Sequence, residues 1–383
     1  MRNMKKWAVL AAASAMTLGL AACGGGGSET TAAASEAAKT ETSAEAADSS
    51  ADGGESTDAA KTDTAGMKID VIAKGFQHQF WKAVEQGTNQ AAEEFGVEVT
   101  FQGPDNESAI AQQVEYINAA IANKPNAICL AALDTKACLD AITTAQEENI
   151  PIIGFDSGVP DAPEGAIKAN AATDNYAAGQ LAAENTYELI KDQVTDPASP
   201  VRIGVIAQES NSQSIVDRTK GFVDKMSELV GADKVSVEGH DSLKNEKADA
   251  KVIMDVGIPA EVKDVDAAAV ASAILEKSDL IAIYGSNEFA ANAIITANEG
   301  LDKLGEGKVT AVGVDSGSKL LDAVSAKTFA GAVTQNPVQI GYQAVKLAVE
   351  AAQGKEVSDV DTGCLWYTAD NMEDPEIAPC LYR

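Results

Sequence analysis

The stretch KIDVIAKGFQHQFWKAVEQGTNQAAEEFGVEVTFQG, residues 68–103, contains a complete strand–helix–strand pattern. Its apolar runs at Lys68–Ala73 and Glu98–Gln102 are typical of β-strands, and Gln79–Glu94 between them has the apolar period of a helix. A strand, a crossover helix and a second strand in this order predict a parallel sheet covered by helices, which is an α/β fold.

The alternation continues far beyond this stretch. Further strands are predicted at Ala127–Ala132, Ile152–Phe155, Val201–Ala207, Lys251–Val256, Leu280–Tyr284, Val309–Val314 and Phe329–Val333. Further helices are predicted at Glu107–Ala122, Lys136–Glu148, Ile215–Val230, Ala267–Glu276 and Glu288–Asn298. The pattern pauses at Ala166–Asn170 and then resumes, so we expect two doubly wound parallel-sheet lobes of similar length. Apart from the predicted strand Lys251–Val256, residues 235–263 do not follow the alternation cleanly, and the stretch as a whole is left unassigned.

The composition restricts both the core and the partners. Aromatic residues make up 5% of the chain and hydrophobic residues 45%, so the core must be built mainly from Ala, Val, Ile and Leu. The formal net charge is −29. A surface this acidic repels nucleic acid and does not attract anionic lipid, so neither is an expected partner.

Residues 1–22 have the features of an export signal: basic residues at the start, an apolar stretch over 7–20, and small residues before Cys23. The sequence LAAC at 20–23 looks like a bacterial lipobox, which implies cleavage before Cys23 and a lipid attached to that cysteine. Residues 24–66 contain no large apolar residue. Such a segment cannot bury enough surface to fold, so together with Cys23 it is expected to form a disordered, acidic, lipid-anchored tether.

The remaining four cysteines show no metal-binding spacing, and neither a metal nor another cofactor is expected. Cys129 lies in an apolar run and Cys138 in a helical stretch, where buried thiols are expected. Cys364 and Cys380 flank the C-terminal tail. In an oxidising compartment they form either a disulfide or two free thiols, and their spacing does not decide between the two.

A polar residue follows five of the predicted strands. Open α/β sheets bind ligands at the carboxyl ends of their strands, where loops converge. A polar residue there is most often a turn former or a helix N-cap. The occurrence of such residues in both predicted lobes instead favours a ligand site in a cleft between them. These residues are Lys74, Asp156, Asn287, Asp315 and Gln335.

Six segments resemble, in order and spacing, the type I periplasmic binding proteins, specifically the ribose-binding branch. The segments are KGFQHQFWKAVEQG (74–87), GFDSG (154–158), DRTKGF (217–222), GSNEFA (285–290), VGVDSG (312–317) and TQNPVQIGYQA (334–344). The resemblance covers residues 67–383 and implies a hinge of three crossovers near Thr173, Asn336 and Cys364. The implied N-terminal lobe comprises 67–172 and 336–364, and the implied C-terminal lobe comprises 173–335 and 365–383.

The resemblance also implies which residues contact the ligand. Phe80 and Trp81 would stack on the C–H face of a sugar, where apolar rings exclude water; the alternative for Trp81 is core packing. Asp156 and Asp315 would accept hydrogen bonds from vicinal hydroxyls, and Arg218 would donate a planar fork. The full implied set is Lys74, His78, Phe80, Trp81, Asp156, Ser157, Arg218, Asn287, Asp315 and Gln335.

Three positions differ from the ribose-binding pattern. Lys74 stands where the ribose binders have a small hydroxyl residue, His78 where they have Asn, and Ser157 where they have Arg. The charges of Lys74 and Arg218 balance those of the two implied carboxylates, which favours a neutral sugar, first of all a ribose-like pentose or a related monosaccharide. A lysine at the first strand end also resembles the branch that binds autoinducer-2, so that signal or a polyol is the alternative ligand.

By this resemblance, a monomer would close on its sugar and deliver it to the permease and ATPase of an ABC importer at the outer face of the bacterial cell membrane. An enzyme is disfavoured, because His78 and His240 are the two histidines of the chain and no GxSxG, HExxH or P-loop pattern occurs. Acid–base catalysis by Asp156 and Asp315 is a remote alternative. A transcription regulator is disfavoured by the export signal and tether before the fold. A receptor that signals without transport is not separated from an importer component by the sequence.

Overall fold

The computed structural model describes residues 64–76 and 78–383. The predicted signal peptide, Cys23 and the tether as far as residue 63 lie outside the described residues. Thr64, which the sequence interpretation assigned to the tether, is buried, and its hydroxyl donates a hydrogen bond to the Phe95 carbonyl. The folded body therefore already includes Thr64.

Strands and helices alternate along the described chain. The first part contains β1 (Lys68–Ile72), α1 (Gln79–Phe95), β2 (Glu98–Gln102), α2 (Ile110–Asn123), β3 (Ala127–Leu130), α3 (Leu139–Glu147), β4 (Ile152–Phe155), β5 (Ile167–Ala172) and α4 (Asn175–Val194). The second part contains β6 (Val201–Ile206), α5 (Gln213–Val230), β7 (Val235–Gly239), β8 (Val252–Gly257), α6 (Asp264–Leu275), β9 (Leu280–Gly285), α7 (Glu288–Leu301), β10 (Thr310–Val314), α8 (Ser318–Ser325), β11 (Gly331–Gln335), α9 (Pro337–Ala352), β12 (Val360–Asp361) and β13 (Cys364–Tyr367). Among the helices described, none combines the length and the apolar character needed to cross a membrane.

The described strands form two sheets, one in each lobe. In the N-terminal lobe the order is β12-β5-β4-β3-β1-β2, and all neighbours are parallel. In the C-terminal lobe the order is β13-β11-β10-β9-β6-β8-β7, and only β13 is antiparallel to its neighbour. In each lobe the first strand, β1 or β6, lies inside the sheet, and the later strands lie on both sides of it. The two doubly wound α/β lobes predicted from the sequence are therefore confirmed.

The described chain passes between the two sheets at three points. It leaves the first sheet at Thr173, returns at Asn336, and crosses again between β12 and β13. The third crossover lies at 362–363, because Cys364 already pairs with Gln335 in the second sheet. Cys364 thus belongs to the C-terminal lobe, and its assignment to the N-terminal lobe was wrong by one residue.

Two stretches that interrupted the predicted pattern are strands. The pause at Ala166–Asn170 falls mostly within β5, whose residues are alternately buried and partly exposed, so its apolar signal is weak. Residues 235–263 contain β7 and β8, which are parallel neighbours without a helix between them. The loop after β7 instead turns back along that strand, and Val237 and Asn245 exchange backbone hydrogen bonds of 3.1 and 3.0 Å.

The two C-terminal cysteines are free thiols in the structure, so they form no bridge. Cys364 packs with Val333 on one face of the second sheet. Cys380 follows Ile377, which packs on the opposite face. Because the sheet separates them, the two thiols do not meet. Cys129 and Cys138 are also free and buried, as predicted.

A pair of closely packed helices flanks each sheet. In the N-terminal lobe, α1 and α9 cross at Gly87 and Gly341, and a Cβ on Gly87 would lie 1.9 Å from a carbonyl oxygen of α9. In the C-terminal lobe, α4 and α5 cross at Gly179 and Gly221, and a Cβ on Gly179 would lie 2.1 Å from the Arg218 carbonyl oxygen. Such contacts fix the position of α5, which carries the Arg218 side chain into the cleft.

Candidate functional site

The carboxyl ends of strands from both sheets meet at one cleft. Lys74 and Asp156 follow β1 and β4 in the N-terminal lobe, Asn287 and Asp315 follow β9 and β10 in the C-terminal lobe, and Gln335 ends β11. All five residues are buried. Parallel strands bring their loops to the same edge of a sheet, so side chains far apart in sequence converge here.

Nine of the ten predicted ligand contacts line one cavity between the lobes, and Ser157 is the exception. The Ser157 hydroxyl accepts a hydrogen bond of 3.2 Å from the Ser214 backbone N–H in the other lobe. Glu107, Ile215 and Glu288, which the sequence interpretation did not include, complete the lining. The space open to a water-sized sphere is about 20 Å³, enough for about one or two water molecules. In this arrangement of the lobes the cavity is too small to hold a sugar-sized ligand.

Lys74 and Asp156 form a buried ion pair at the N-terminal side of the cavity. Lys74 Nζ lies 2.9 Å from Asp156 Oδ2 and donates a hydrogen bond of 3.0 Å to Ser214 Oγ in the other lobe. Burial alone would lower the pKa of Lys74, but the charges of Asp156 and Glu107 raise it above the ordinary lysine value. Lys74 is therefore charged.

Asp315 is held by groups from three elements of the C-terminal lobe, β11, α7 and α5. Its Oδ1 accepts a hydrogen bond of 2.6 Å from Gln335 Nε2, and its Oδ2 accepts one of 2.9 Å from the Glu288 backbone N–H. Arg218 Nη1 lies 3.7 Å from Asp315 Oδ2. Arg218 Nε in turn donates to Asn175 Oδ1 at 3.1 Å, at the first crossover. These contacts orient Arg218 and Asp315 together.

Asp156 and Asp315 occupy equivalent positions in the two lobes and share an uncommon backbone. Their φ angles are +55° and +78°, in the left-handed region that Asp tolerates better than most residues. Each backbone N–H donates to a neighbouring strand, to Ala171 at 3.1 Å and to Val333 at 2.7 Å. Such backbone strain costs about 1–3 kcal/mol and clusters at functional sites. Here it turns both carboxylates toward the cavity.

The aromatic residues lie in the first turn of α1. Phe80 and Trp81 are buried, with ring centroids 5.0 Å apart and nearly perpendicular planes. Trp81 lines the cavity and also packs in the N-terminal core, so both predicted environments apply to it. His78, just before the helix, makes an edge contact of 5.9 Å with Phe289 of the other lobe.

Glu107 and Gln208 form a buried contact across the cleft that sequence reasoning missed. Glu107 Oε1 accepts from Trp81 Nε1 at 2.6 Å, and Oε2 accepts from Gln208 Nε2 at 2.8 Å. Burial alone would raise the pKa of Glu107, but the charges of His78 and Lys74 and these two hydrogen bonds lower it below the ordinary glutamate value. Glu107 is therefore ionised.

The sequence contains a clear signal for Gln208 and a misleading one for Glu107. Gln208 lies two residues after β6, so the strand-end argument applies to it and could have found it. Glu107 was placed in a predicted helix over 107–122. Because α2 begins only at Ile110, Glu107 lies in the loop before it, where its side chain reaches the cavity.

Glu288 is a second missed carboxylate. It is the first residue of α7, and burial together with the charge of Asp315 raises its pKa to about 7. The charge of His78 and the backbone N–H groups of Phe80 and Gln79, all in the N-terminal lobe, act in the opposite direction and limit this rise in the pKa of Glu288. The Glu288 carboxylate therefore lies near the start of α1 in the other lobe.

Several buried polar atoms of the lining have no hydrogen-bond partner within the described protein. They include a donor, Arg218 Nη1, two acceptors, Gln335 Oε1 and Glu288 Oε2, and the ring nitrogen His78 Nε2. Buried polar groups are normally paired. Donors and acceptors side by side suit a ligand that offers both, as hydroxyl groups do.

The chain matches a known family over most of its length. Residues 69–356 match the family described as "Periplasmic binding protein domain". A curated relative, the D-allose-binding periplasmic protein of Escherichia coli (strain K12), is 23% identical over 296 residues, which cover 76% of this chain and 86% of the relative.

Two solved structures share the fold and more of the sequence. An "ABC transporter, LacI family transcriptional regulator" from Brachyspira murdochii is 34% identical with a TM-score of 0.69, over 83% of this chain and 99% of that chain. An ABC transporter solute binding protein from Agrobacterium vitis, with bound D-fucose, is 29% identical with a TM-score of 0.70, over 82% of this chain and 100% of that chain. The chain therefore belongs to the type I periplasmic binding protein family, which its sequence resembles.

Proposed function

We propose that this protein is the sugar-binding component of an ABC importer and captures a small neutral monosaccharide between its lobes. The observation that carries the proposal is the cavity lining. It combines the aromatic pair Phe80 and Trp81 with the charged groups of Lys74, Asp156, Arg218 and Asp315 contributed by both lobes. Aromatic faces suit the C–H face of a sugar, and ionised acceptors suit its hydroxyl groups.

The charges of the lining favour a neutral ligand over an anionic one. The lysine and the arginine are balanced by the two aspartates, as the sequence indicated. Glu107 adds a further negative charge, with His78 Nε2 at 3.7 Å from its Oε1. Glu288, with a pKa of about 7, adds a partial one. A phosphate or carboxylate ligand would meet an excess of carboxylates, whereas hydroxyl groups meet both donors and acceptors.

The sugars named for the relatives support a monosaccharide as the class of ligand, but they do not identify which sugar this protein binds. The Escherichia coli relative carries D-allose in its name, and the Agrobacterium vitis structure contains D-fucose. A ribose-like pentose or a related monosaccharide is the first choice, and autoinducer-2 or a polyol is the alternative for the same site. The Escherichia coli and Agrobacterium vitis relatives are named as binding proteins, and the name of the Brachyspira murdochii structure combines transporter and transcriptional regulator. These names support binding without catalysis.

Closure of the lobes is the proposed step that hands over the ligand. Lys74, Ser157 and Gln79 each make a hydrogen bond to the C-terminal lobe. A ligand that bridges both lobes would favour a closed form in which they approach each other around it, with a wider cavity than in this structure, and a permease would recognise that form. Attachment through a lipid on Cys23 and the tether would hold the protein at the outer face of the membrane, beside its permease and ATPase.

A thermal-shift screen tests the proposal. The panel contains D-ribose, D-allose, D-fucose, a polyol, autoinducer-2 and, as an anionic control, ribose 5-phosphate. We expect at least one neutral sugar to raise the melting temperature by mass action, and ribose 5-phosphate to have no effect. A shift by the phosphate alone would contradict the ligand class. Conversion of the bound sugar to a product would contradict the absence of catalysis.

A further inference from the structure

A chain of buried hydrogen bonds runs from α7 in the C-terminal lobe to α1 in the N-terminal lobe. The Ala290 backbone N–H donates to Asn287 Oδ1 at 3.0 Å, and Asn287 Nδ2 donates to Gln208 Oε1 at 2.8 Å. Gln208 Nε2 then donates to Glu107 Oε2 at 2.8 Å, and Trp81 Nε1 donates to Glu107 Oε1 at 2.6 Å. We call these four bonds the relay.

The direction of the relay is fixed at both ends. A backbone N–H can only donate, so Ala290 holds the oxygen of Asn287 and turns its NH₂ group toward Gln208. Gln208 must then accept with its oxygen and donate with its nitrogen. The relay ends at Glu107, an ionised carboxylate that can only accept. Trp81 Nε1 and Gln208 Nε2 both donate to the side chain at position 107. If that side chain were an amide, its NH₂ group would face one of these two donors.

We propose that Glu107 is a positioning residue that couples the orientation of the Trp81 ring to closure of the lobes. Within its own lobe it holds the indole N–H of Trp81, and only in the closed form does it accept from Gln208 of the other lobe. The inference rests on the proposed function, because Trp81 is the face on which the sugar stacks. A sugar that fits against Trp81 therefore leaves Glu107 aligned for the bond that closes the cleft.

The relay also restricts what Asn287 offers to a ligand. Its oxygen already accepts from the start of α7, and one of its two N–H groups donates to Gln208, so the second N–H is its remaining donor. A hydroxyl or ring oxygen of the ligand could accept from that N–H.

The direction of the relay allows a rescue experiment. Glu107→Gln places an amide NH₂ group opposite another donor, and Gln208→Glu places a carboxylate opposite the Glu107 carboxylate. The double variant restores the donor–acceptor matches of the relay, because the new amide at 107 accepts from Trp81 and donates to the new carboxylate at 208, which also accepts from Asn287. The probe is whichever of D-ribose, D-allose or D-fucose binds the wild type most tightly by calorimetry. We expect each single variant to lose about tenfold or more in affinity, and the double variant to recover to within about threefold of wild type.

A second readout separates positioning from a general loss of stability. The indole N–H resonance of Trp81, assigned with Trp81→Phe, should move upfield in sugar-free Glu107→Gln, because a neutral acceptor replaces a charged one. It should stay in place in sugar-free Gln208→Glu. Glu94→Gln is the matched control, since Glu94 lies on α1 but contacts Tyr342 at the surface. It should change neither affinity nor resonance.

The outcomes distinguish the relay from the proposed function. Losses that add in the double variant, or an unchanged affinity in Glu107→Gln, overturn the relay. If no sugar binds the wild type, the proposed function fails. The Trp81 resonance then decides the Glu107 assignment by itself, and an unchanged resonance in Glu107→Gln overturns it.

Discussion

The ion pair between Lys74 and Asp156 can be tested by removing one charge at a time. Both residues are almost completely buried, at 4% and 3% exposure, and their charged atoms lie 2.9 Å apart. Lys74→Met keeps the length of the side chain and leaves Asp156 without its partner. Breaking a buried pair in this way costs about 3–5 kcal/mol, because the remaining charge is buried and uncompensated. Asp156→Asn should cost a similar amount.

The double variant Lys74→Met/Asp156→Asn separates the cost of an unpaired charge from the value of the pair. Replacing both partners of a buried pair is often nearly neutral, so the double variant should be more stable than either single variant. Urea unfolding followed by circular dichroism measures the free energy of unfolding of all three. Lys68→Met is the matched control, because Lys68 begins the strand that Lys74 follows. The Lys68–Glu98 pair is exposed, with a distance of 3.4 Å, and should contribute less than about 1 kcal/mol.

The pH dependence of the pair has a definite sign. The pKa of Lys74 is raised above its ordinary value of 10.5. The proton on Lys74 therefore contributes its stabilisation fully below that value, and this contribution is lost only as the pH rises through the higher folded-state pKa. In the urea measurements, a loss of unfolding free energy below about 1 kcal/mol in Lys74→Met would contradict the expected cost of an unpaired buried charge. Losses that simply add in the double variant would contradict it as well.

Two further predictions concern the C-terminal lobe. Burial and Asp315 raise the pKa of Glu288 from 4.5 to about 7, so the folded protein binds this proton more tightly than the unfolded chain and loses stability as the pH rises from about 4.5 to about 7. Glu288→Gln should remove up to about 3 kcal/mol of that pH dependence in urea unfolding, and an identical dependence in the variant would contradict the assignment. Gly179→Ala should cost about 1–3 kcal/mol and weaken sugar binding, because the new Cβ collides with the Arg218 carbonyl and displaces α5. Gly300→Ala, where a Cβ meets no atom within 4 Å, should leave binding unchanged, and equal effects at the two positions would count against the helix contact.

The sequence predicted the architecture well because strand–helix alternation is a local signal. Polar residues after apolar runs, such as Lys74 and Asp315, identified the edge where the strands end. The helix expected to start at Glu107 starts at Ile110, and a shift of three residues decides whether a carboxylate lies in a helix or in the cleft. Helix boundaries depend on caps and on contacts made after folding, so periodicity alone does not locate them.

Contacts between the lobes were the least predictable feature. Ser157 stands where the ribose binders have Arg, and its hydroxyl accepts a hydrogen bond from the Ser214 backbone N–H across the cleft. Glu288 directly follows the predicted contact Asn287, yet only the folded structure shows that its carboxylate lines the cavity near the start of α1. Such pairings join residues more than fifty positions apart, and no local pattern encodes them.

The most direct test of the account is calorimetric titration of neutral sugars into the wild type and into Asp315→Ala. The Asp315 carboxylate is held by Gln335 and lines the cavity, so it should accept hydrogen bonds from the sugar. The wild type should bind one monosaccharide of the panel, and Asp315→Ala should lose at least about a hundredfold in affinity. Asp322→Ala, an exposed change on α8, should bind like the wild type. Unchanged affinity in Asp315→Ala would contradict the claim that the sugar lies between the lobes.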